Sequence, residues 1–211
     1  VNTDAWADIL RACGVRPITI ARWAPVFAEE IPSPDRFSRG REELDDFLGQ
    51  VLHESGKLEL TEENLNYGSP ERLMAVWPAR FPTVDSARPF VRNPRALANH
   101  VYGGRMGNVG PDDGWVFRGS GLVQITGRMN TEKLAKALGW MTPEVLAESL
   151  RTDAHTALRA SIAWWEGNVP DGIMGDVLGV TRRVNGGTHG LDDRRRLTEV
   201  ADAALDRGGV A

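Results

Sequence analysis

Between Leu44 and Gly56 the chain carries its strongest structural constraint. Leu44, Phe47, Leu48, Val51 and Leu52 recur at the i, i+3, i+4, i+7, i+8 spacing that lines one face of an α-helix. Gly56 follows as a residue able to take the left-handed backbone that ends such a helix. A stripe of this kind must be covered by another apolar surface, and the sequence offers further helices to do so. A first is expected over 4–13, with Asp4 as cap and Gly14 as stop, and a second from about Thr19 to Glu30, bent or shifted by Pro25. Pro32 and Pro34 read as a linker, 57–66 as an extended or looped stretch, and Pro70 to Trp77 as a short helix. Helical patterning returns at Thr131–Leu138, Pro143–Leu150, Ala154–Trp165 and Asp192–Leu205. The expected class is therefore mainly α, with strand limited to short pieces.

One segment departs from this rhythm. Residues 103–127 hold eight glycines, from Gly103 to Gly127, which predicts a long, turn-rich stretch packed closely against something. Loops of that length inside a domain are usually functional.

Composition narrows the function classes. With 211 residues, 41% hydrophobic and 26% charged, the chain suits one globular domain that needs no staples, and no apolar run approaches the roughly 20 residues of a spanning helix. Net charge is −4 without a dominating basic block, which argues against a nucleic-acid protein that must neutralise many phosphates. The densest basic run, Arg194-Arg195-Arg196, reads as a solvated helix face. Cys13 is the only cysteine, so an intramolecular disulfide is excluded; it reads as a small core residue. The start lacks a basic cluster followed by an apolar stretch, so no secretory signal is read, and with a single cysteine a cytosolic site of synthesis is expected.

Two glutamates stand out as acid–base candidates. Glu54 falls in the last turn of the best helix, where carbonyl ends and the macrodipole disfavour negative charge. Such a carboxyl is expected to have a raised pKa and to suit a general acid, although an exposed acid at a frayed helix end fits the same position. Glu63 follows nine residues later; a continuous helix would set the two Cα atoms about 13 Å apart, and the break at Gly56 lets the chain fold back. His53, beside Glu54, could orient that carboxyl or bind a sugar. A zinc-protease reading fails because Lys57 occupies the place of the second histidine. The glycine segment contains no phosphate-binding motif, and the four histidines and one cysteine show no ligand spacing. No metal and no cofactor are expected.

Taken in order, several motifs carry a resemblance. They are His53-Glu54-Ser55-Gly56, Glu62-Glu63-Asn64-Leu65-Asn66-Tyr67, Ala98-Asn99-His100-Val101-Tyr102-Gly103-Gly104-Arg105-Met106-Gly107-Asn108, and Asp113-Gly114-Trp115 through Gln124-Ile125-Thr126-Gly127-Arg128. Val184-Asn185-Gly186-Gly187 and Gly190-Leu191-Asp192-Asp193-Arg194 complete the series. In order and spacing it resembles glycoside hydrolase family 19 over roughly residues 16–205, and is most similar to the bacterial and phage endolysin branch, with its short inter-glutamate segment and few cysteines.

The resemblance implies a lysozyme-like, two-lobed helical domain with a central cleft, spanning 1–211 as one catalytic domain without a separate wall-binding module. It implies Glu54 as proton donor, Glu63 as base in an inverting mechanism, and Thr126 as the hydroxyl that helps position the attacking water. Gln124, Asn130 and Asn185 match amides that bind acetamido and hydroxyl groups, and Arg194 matches an arginine able to pair with a carboxylate. Tyr67 and Trp115 are assigned to sugar contacts, Trp115 because it lies in the glycine-rich stretch; Trp77, Trp164 and Trp165 are assigned to packing. On their own terms Gln124 and Thr126 alternate as a strand would, and Asn185-Gly-Gly is a turn. Lys57 stands where the family has glycine, and Met129 where an aromatic is common.

The leading expectation is a monomeric endolysin of the muramidase type acting on the β-1,4 bonds of peptidoglycan after release from the host cytoplasm. The alternatives are a chitinase acting on poly-N-acetylglucosamine, a toxin delivered into competitors with the same chemistry, and a non-catalytic wall-binding module.

Overall fold

The computed structural model describes residues 1–140 and 142–208. Among them run twelve α-helices: α1 (Thr3–Ala12), α2 (Pro17–Glu30), α3 (Arg41–Glu54), α4 (Pro70–Val76), α5 (Val84–Ala87), α6 (Pro94–Tyr102), α7 (Asp113–Val116), α8 (Arg128–Leu138), α9 (Pro143–Thr152), α10 (Ala154–Asn168), α11 (Val177–Asn185) and α12 (Leu191–Arg207). The only β pairings among the described residues are isolated bridges, Glu62 with Ser120 and Ser120 with Ile125. The chain is thus mainly helical, and none of these helices is long and apolar enough to cross a membrane.

The helix boundaries follow capping chemistry. Asn2, not Asp4, caps α1 by accepting from the Ala5 amide; Asp4 sits inside the first turn, where its charge complements the dipole. The second helix starts at Pro17, since proline's missing N–H costs nothing at the first helical position, and it continues through Pro25. The expected Pro32–Pro34 linker contains a short 3-10 turn, Pro34–Arg36, capped by Ser33.

Two compact units form. The first comprises Val1–Thr61, Gly121–Val123 and Ser149–Ala211, described here to residue 208. Its core gathers the stripe of α3 with Trp6, Trp23, Phe27, Leu158, Trp165 and Leu197. Gly49 lets α12 approach α3 closely, since a Cβ there would fall 2.0 Å from Thr198 Oγ1. Cys13 is buried, and that burial pushes its thiol up to about 11, as suits an inert core residue. Trp165 is buried and donates to Glu43. The same unit holds two neighbouring acids, Asp46 buried and Asp45 half-buried. Asp46 is 0% exposed, accepts from the Gly175 amide with one oxygen, and its other oxygen finds no partner among the described residues. Burial raises Asp46 to about 6 and Asp45 to about 7, with nearby Glu42, Glu43, Asp176 and Asp202 adding to the effect and Arg41 opposing it at Asp45.

The second unit comprises Glu62–Ser120 and Gln124–Glu148. Leu65, Leu73, Phe81, Leu97 and Val101 form its core, with Tyr67, Trp77 and Phe90 packed against it. Helix α6 has no counterpart among the helices expected from periodicity, although Asn93 caps it and Pro94 opens it. The glycine-rich stretch is held by a buried polar clamp. Asp113 accepts from the Val109 and Gly110 amides and from Arg128, whose own amide donates to Asn108 Oδ1. The Arg128 guanidinium is the main cause holding Asp113 down at about 2. Glycines are required where backbones meet: a Cβ on Gly114 would lie 2.5 Å from the Ala98 carbonyl, and one on Gly127, at φ +91°, would lie 2.4 Å from Met106.

Candidate active site

The acid candidate lies at the C-terminal end of α3, in the first unit. The end is closed by two backbone bonds, Gly56 N–H to the His53 carbonyl and Lys57 N–H to the Leu52 carbonyl, the pair that defines a Schellman stop. Gly56, Lys57 and Leu58 all take positive φ, at 55°, 62° and 67°. The position at which the resemblance leads one to expect glycine therefore has a backbone that suits glycine, with Lys57 in it.

Glu54 does not stand alone at this helix end. Arg194 donates to Glu54 Oε1 at 2.5 Å, to Gln50 Oε1 at 2.6 Å and to the His189 carbonyl at 3.0 Å. The arginine is 2% exposed and the Glu54 side chain 27%. Arg194 therefore leaves the solvated face expected for the basic run; Arg195 and Arg196 remain exposed. The helix-end expectation for Glu54 counted only the macrodipole, and the guanidinium adds an opposite charge at hydrogen-bond distance.

Two other residues of this unit hold the turn behind Glu54. His53 Nδ1 pairs with Asp193 Oδ2 at 2.8 Å, and its ring lies where a Cβ on Gly190 would be. Asn185 donates to the His189 carbonyl and accepts from the Gly187 amide, while Gly186 takes the left-handed cap of α11. The turn reading of Asn185-Gly-Gly is thus what the backbone adopts, with both amide atoms engaged locally.

The base candidate belongs to the second unit, and its surroundings are built differently. Glu62 and Ser120 bridge, Ser120 and Ile125 bridge, and the Glu63 amide donates to the Gly119 carbonyl at 2.9 Å. Glu63 Oε1 accepts from the Tyr102 hydroxyl at 2.6 Å and Oε2 from the Gly119 amide at 3.1 Å. Burial first, then the bond to Glu63, pushes the Tyr102 hydroxyl's pKa upward, so it serves as a donor at neutral pH. A Cβ on Gly119 would lie 2.6 Å from Gln124 Oε1, the far end of a side chain that can move, and 3.0 Å from Glu63 Cβ, which would have to give by a few tenths of an ångström. That single glycine places Gln124 and Glu63 side by side.

Gln124 has φ +51°, so the strand-like alternation with Thr126 is broken by a turn. The Thr126 hydroxyl donates to the Gln124 carbonyl at 3.1 Å, and Asn130, exposed, donates to the Thr126 carbonyl at 2.8 Å. Next to Glu63 an open depression of about 320 Å³ is lined by Glu62, Glu63, Asn64, Leu65, Asn66, Pro94 and Trp115. Trp115 is backed by Arg118, whose guanidinium carbon lies 3.6 Å from the ring centroid and which is anchored on Glu62. Tyr67 is half-buried and edge-on to Trp77 at 5.3 Å; burial, then the Glu63 charge, raises its hydroxyl's pKa. Sequence reasoning singled out Glu63, Gln124 and Thr126 but passed over Tyr102. Its signal was its place in the Ala98–Asn108 motif, next to the glycine stretch. No group of three or more histidine, cysteine, aspartate or glutamate side chains suited to a metal ion occurs among the described residues.

No protein-family model matches the chain. A protein of Haemophilus influenzae named as a glycosyl hydrolase family 19 domain-containing protein is 38% identical over 154 residues, 72% of this chain and 74% of that protein. Among solved structures, chitinase C from Streptomyces griseus HUT6037 is similar with a TM-score of 0.56 at 13% identity, covering 98% of this chain and 92% of that one. A chitinase C mutant gives 0.57 at 13% identity, covering 100% and 77%. At such identities the structural likeness speaks for the fold alone, the mainly helical, lysozyme-like one. The Haemophilus relative carries the family assignment by identity and coverage together: the chain belongs to glycoside hydrolase family 19.

Proposed function

We propose that this glycoside hydrolase is a muramidase-type endolysin that cleaves the β-1,4 bond between N-acetylmuramic acid and N-acetylglucosamine in peptidoglycan, with inversion. Glu54 gives its proton to the leaving oxygen, and Arg194 receives the carboxylate left behind. Glu63 takes a proton from the attacking water, with the Thr126 hydroxyl as the group that can both donate to and accept from that water. Tyr67, Trp115, Gln124 and Asn130 contact the sugar chain. His53 and Asn185 support Glu54's helix end and the turn beside it.

The observation that carries this reading is the way Glu63 is held. Each of its oxygens accepts one bond from a neutral donor, so each keeps a lone pair for water, as a base in an inverting pair requires. The branch assignment rests on the short segment between Glu54 and Glu63 and on the single cysteine. A chitinase is the second reading, favoured by the structural likeness to chitinase C.

Product analysis on purified sacculi and on colloidal chitin separates the two. Release of muramic-acid reducing ends from sacculi supports the endolysin; activity on chitin alone discards it. The first-formed product from either polymer is expected to be the α-anomer, and a β-anomer would remove the water mechanism altogether. Glu54→Gln should keep the fold and lose about 10²–10⁴-fold in rate.

A further inference from the structure

We propose that Tyr102 is the positioning residue of the water-activating carboxylate: its hydroxyl, together with the Gly119 amide, fixes the plane in which Glu63 meets water. This rests on the reading of Glu63 as base. Tyr102 ends α6, and its hydroxyl reaches Glu63 Oε1 at 2.6 Å from a sequence distance of 39 residues. The opposite oxygen is held by the Gly119 amide, 56 residues along the chain and beyond Tyr102. Two donors from separate segments, one on each oxygen, stop the carboxylate from rotating about its last bond. A terminal carboxylate torsion is otherwise broad, so without them the base would sample many orientations.

Tyr102 is itself held firmly. Its carbonyl accepts from Asn108 Nδ2 at 3.0 Å and from the Arg105 amide at 3.2 Å. Asn108 Oδ1 accepts from the Arg128 amide, and Arg128 grips Asp113. The tyrosine is thus tied to the same clamp that holds the glycine-rich stretch, and the base inherits its order from both. Because burial and the neighbouring charge keep the hydroxyl protonated, Tyr102 acts as a donor and does not compete for the water's proton. Phenylalanine would keep the ring and remove only this bond.

The test compares Tyr102→Phe, Glu63→Gln and the double variant with the wild type, on whichever of sacculi or chitin the protein hydrolyses. For Tyr102→Phe, kcat is expected to fall about tenfold with KM within about twofold, a loss of the size expected for a mispositioned reacting group. The acid limb of the kcat–pH profile should move to higher pH, because a donor to an ionised group favours that ionised form. A purely structural tyrosine would leave that limb where it is. In the Glu63→Gln background the Phe substitution should cost nothing further, since the two act as one unit. A kcat within twofold of wild type with an unmoved acid limb overturns the proposal, as does an equal loss in both backgrounds. Should the Phe variant not fold, 3,5-difluorotyrosine placed at position 102 retains the ring and strengthens the donor; the acid limb should then move to lower pH, and an unmoved limb counts against the role. If Glu63→Gln keeps more than about a tenth of the rate, the base assignment itself fails, a result separate from any on Tyr102.

Discussion

The two proposed catalytic carboxylates are held by opposite means. In the first unit Glu54 ends a fourteen-residue helix and is met by a full positive charge, Arg194, itself buried and shared with Gln50 and the His189 carbonyl. In the second unit Glu63 sits in irregular chain and is met by two neutral donors, a phenol and a peptide N–H. A group that must give up a proton gains from a cation waiting for the anion it becomes. A group that must accept one gains from donors that orient it without adding a competing charge. Among the buried acids the two units exchange these means: Asp113 of the second unit is paired with Arg128 and held at about 2, whereas Asp46 of the first has no cation paired with it among the described residues and rises to about 6.

The sharpest way to break the comparison is Gly119→Ala. The added Cβ meets Gln124 Oε1, which can swing aside, and Glu63 Cβ, which must give by a few tenths of an ångström, a fraction of the about 1 Å displacement that can cost about 100-fold in rate. We expect a loss of about tenfold, measured as kcat/KM, in a protein whose circular dichroism remains helical. An activity within about twofold of wild type would show that the Glu63 loop tolerates movement and that neutral donors do not fix it.

Arg194→Met tests the other half. It leaves Glu54 and Gln50 without their partner, and breaking a buried ion pair from one side costs about 3 kcal/mol. For a chain of this size that lowers Tm by about 6–12 °C. A loss under about 1 kcal/mol would demote the pair to a solvated contact.

Next comes the pH dependence of stability. Asp45 and Asp46 are raised in the folded chain to about 7 and about 6, above an unfolded value of about 3.9. Between these values the folded state binds more protons than the unfolded one, so stability should fall as pH rises from about 4 to about 7. Asp113 runs the other way: depressed to about 2, it stabilises above the unfolded value and loses that contribution as pH falls from about 4 toward 2. Calorimetry from pH 3 to 8 on wild type, Asp46→Asn and Asp113→Asn should show the first substitution flattening the neutral-side decline and the second flattening the acid-side one. If Asp46→Asn leaves the neutral side unchanged, its burial is not the cause of the decline.

The smallest effect is expected at Lys57. A non-glycine residue at φ 62° carries a conformational cost of about 1 kcal/mol, partly offset in Lys57→Gly by the freer unfolded chain, so the variant should gain about 0.5 kcal/mol and about 1–2 °C in Tm. A loss of stability would mean that the lysine side chain contributes more than its backbone strain costs.

How legible these features were follows from their range. The stripe of α3 and its glycine stop are local and periodic, so sequence located Glu54 and the helix that carries it. Arg194 looked like one of three surface arginines because its partners Gln50 and Glu54 lie 144 and 140 residues away. Helix α6 is nine residues long and carries polar Asn99 and His100 near its end, so its stripe is short even though Asn93-Pro94 marks its start. Tyr102 has no periodic signature at all; only the hydroxyl's reach to Glu63 reveals it. The glycines announced close approach, but not that Gly114 would meet α6 or that Gly119 would meet Glu63.

The clamp of Asp113, Arg128 and Asn108 has a consequence for how this enzyme could be altered. Segments 99–113 and 119–130 share hydrogen bonds at Asn108, Asp113 and Arg128, so neither can be exchanged alone for a segment that lacks its share of these three residues. A chimera that swaps both keeps the clamp whole, while Tyr67 and Trp115, two of the proposed sugar contacts, stay with the recipient. Libraries that randomise only one will be dominated by misfolded members, and improved variants should arise as paired changes on both sides of the clamp.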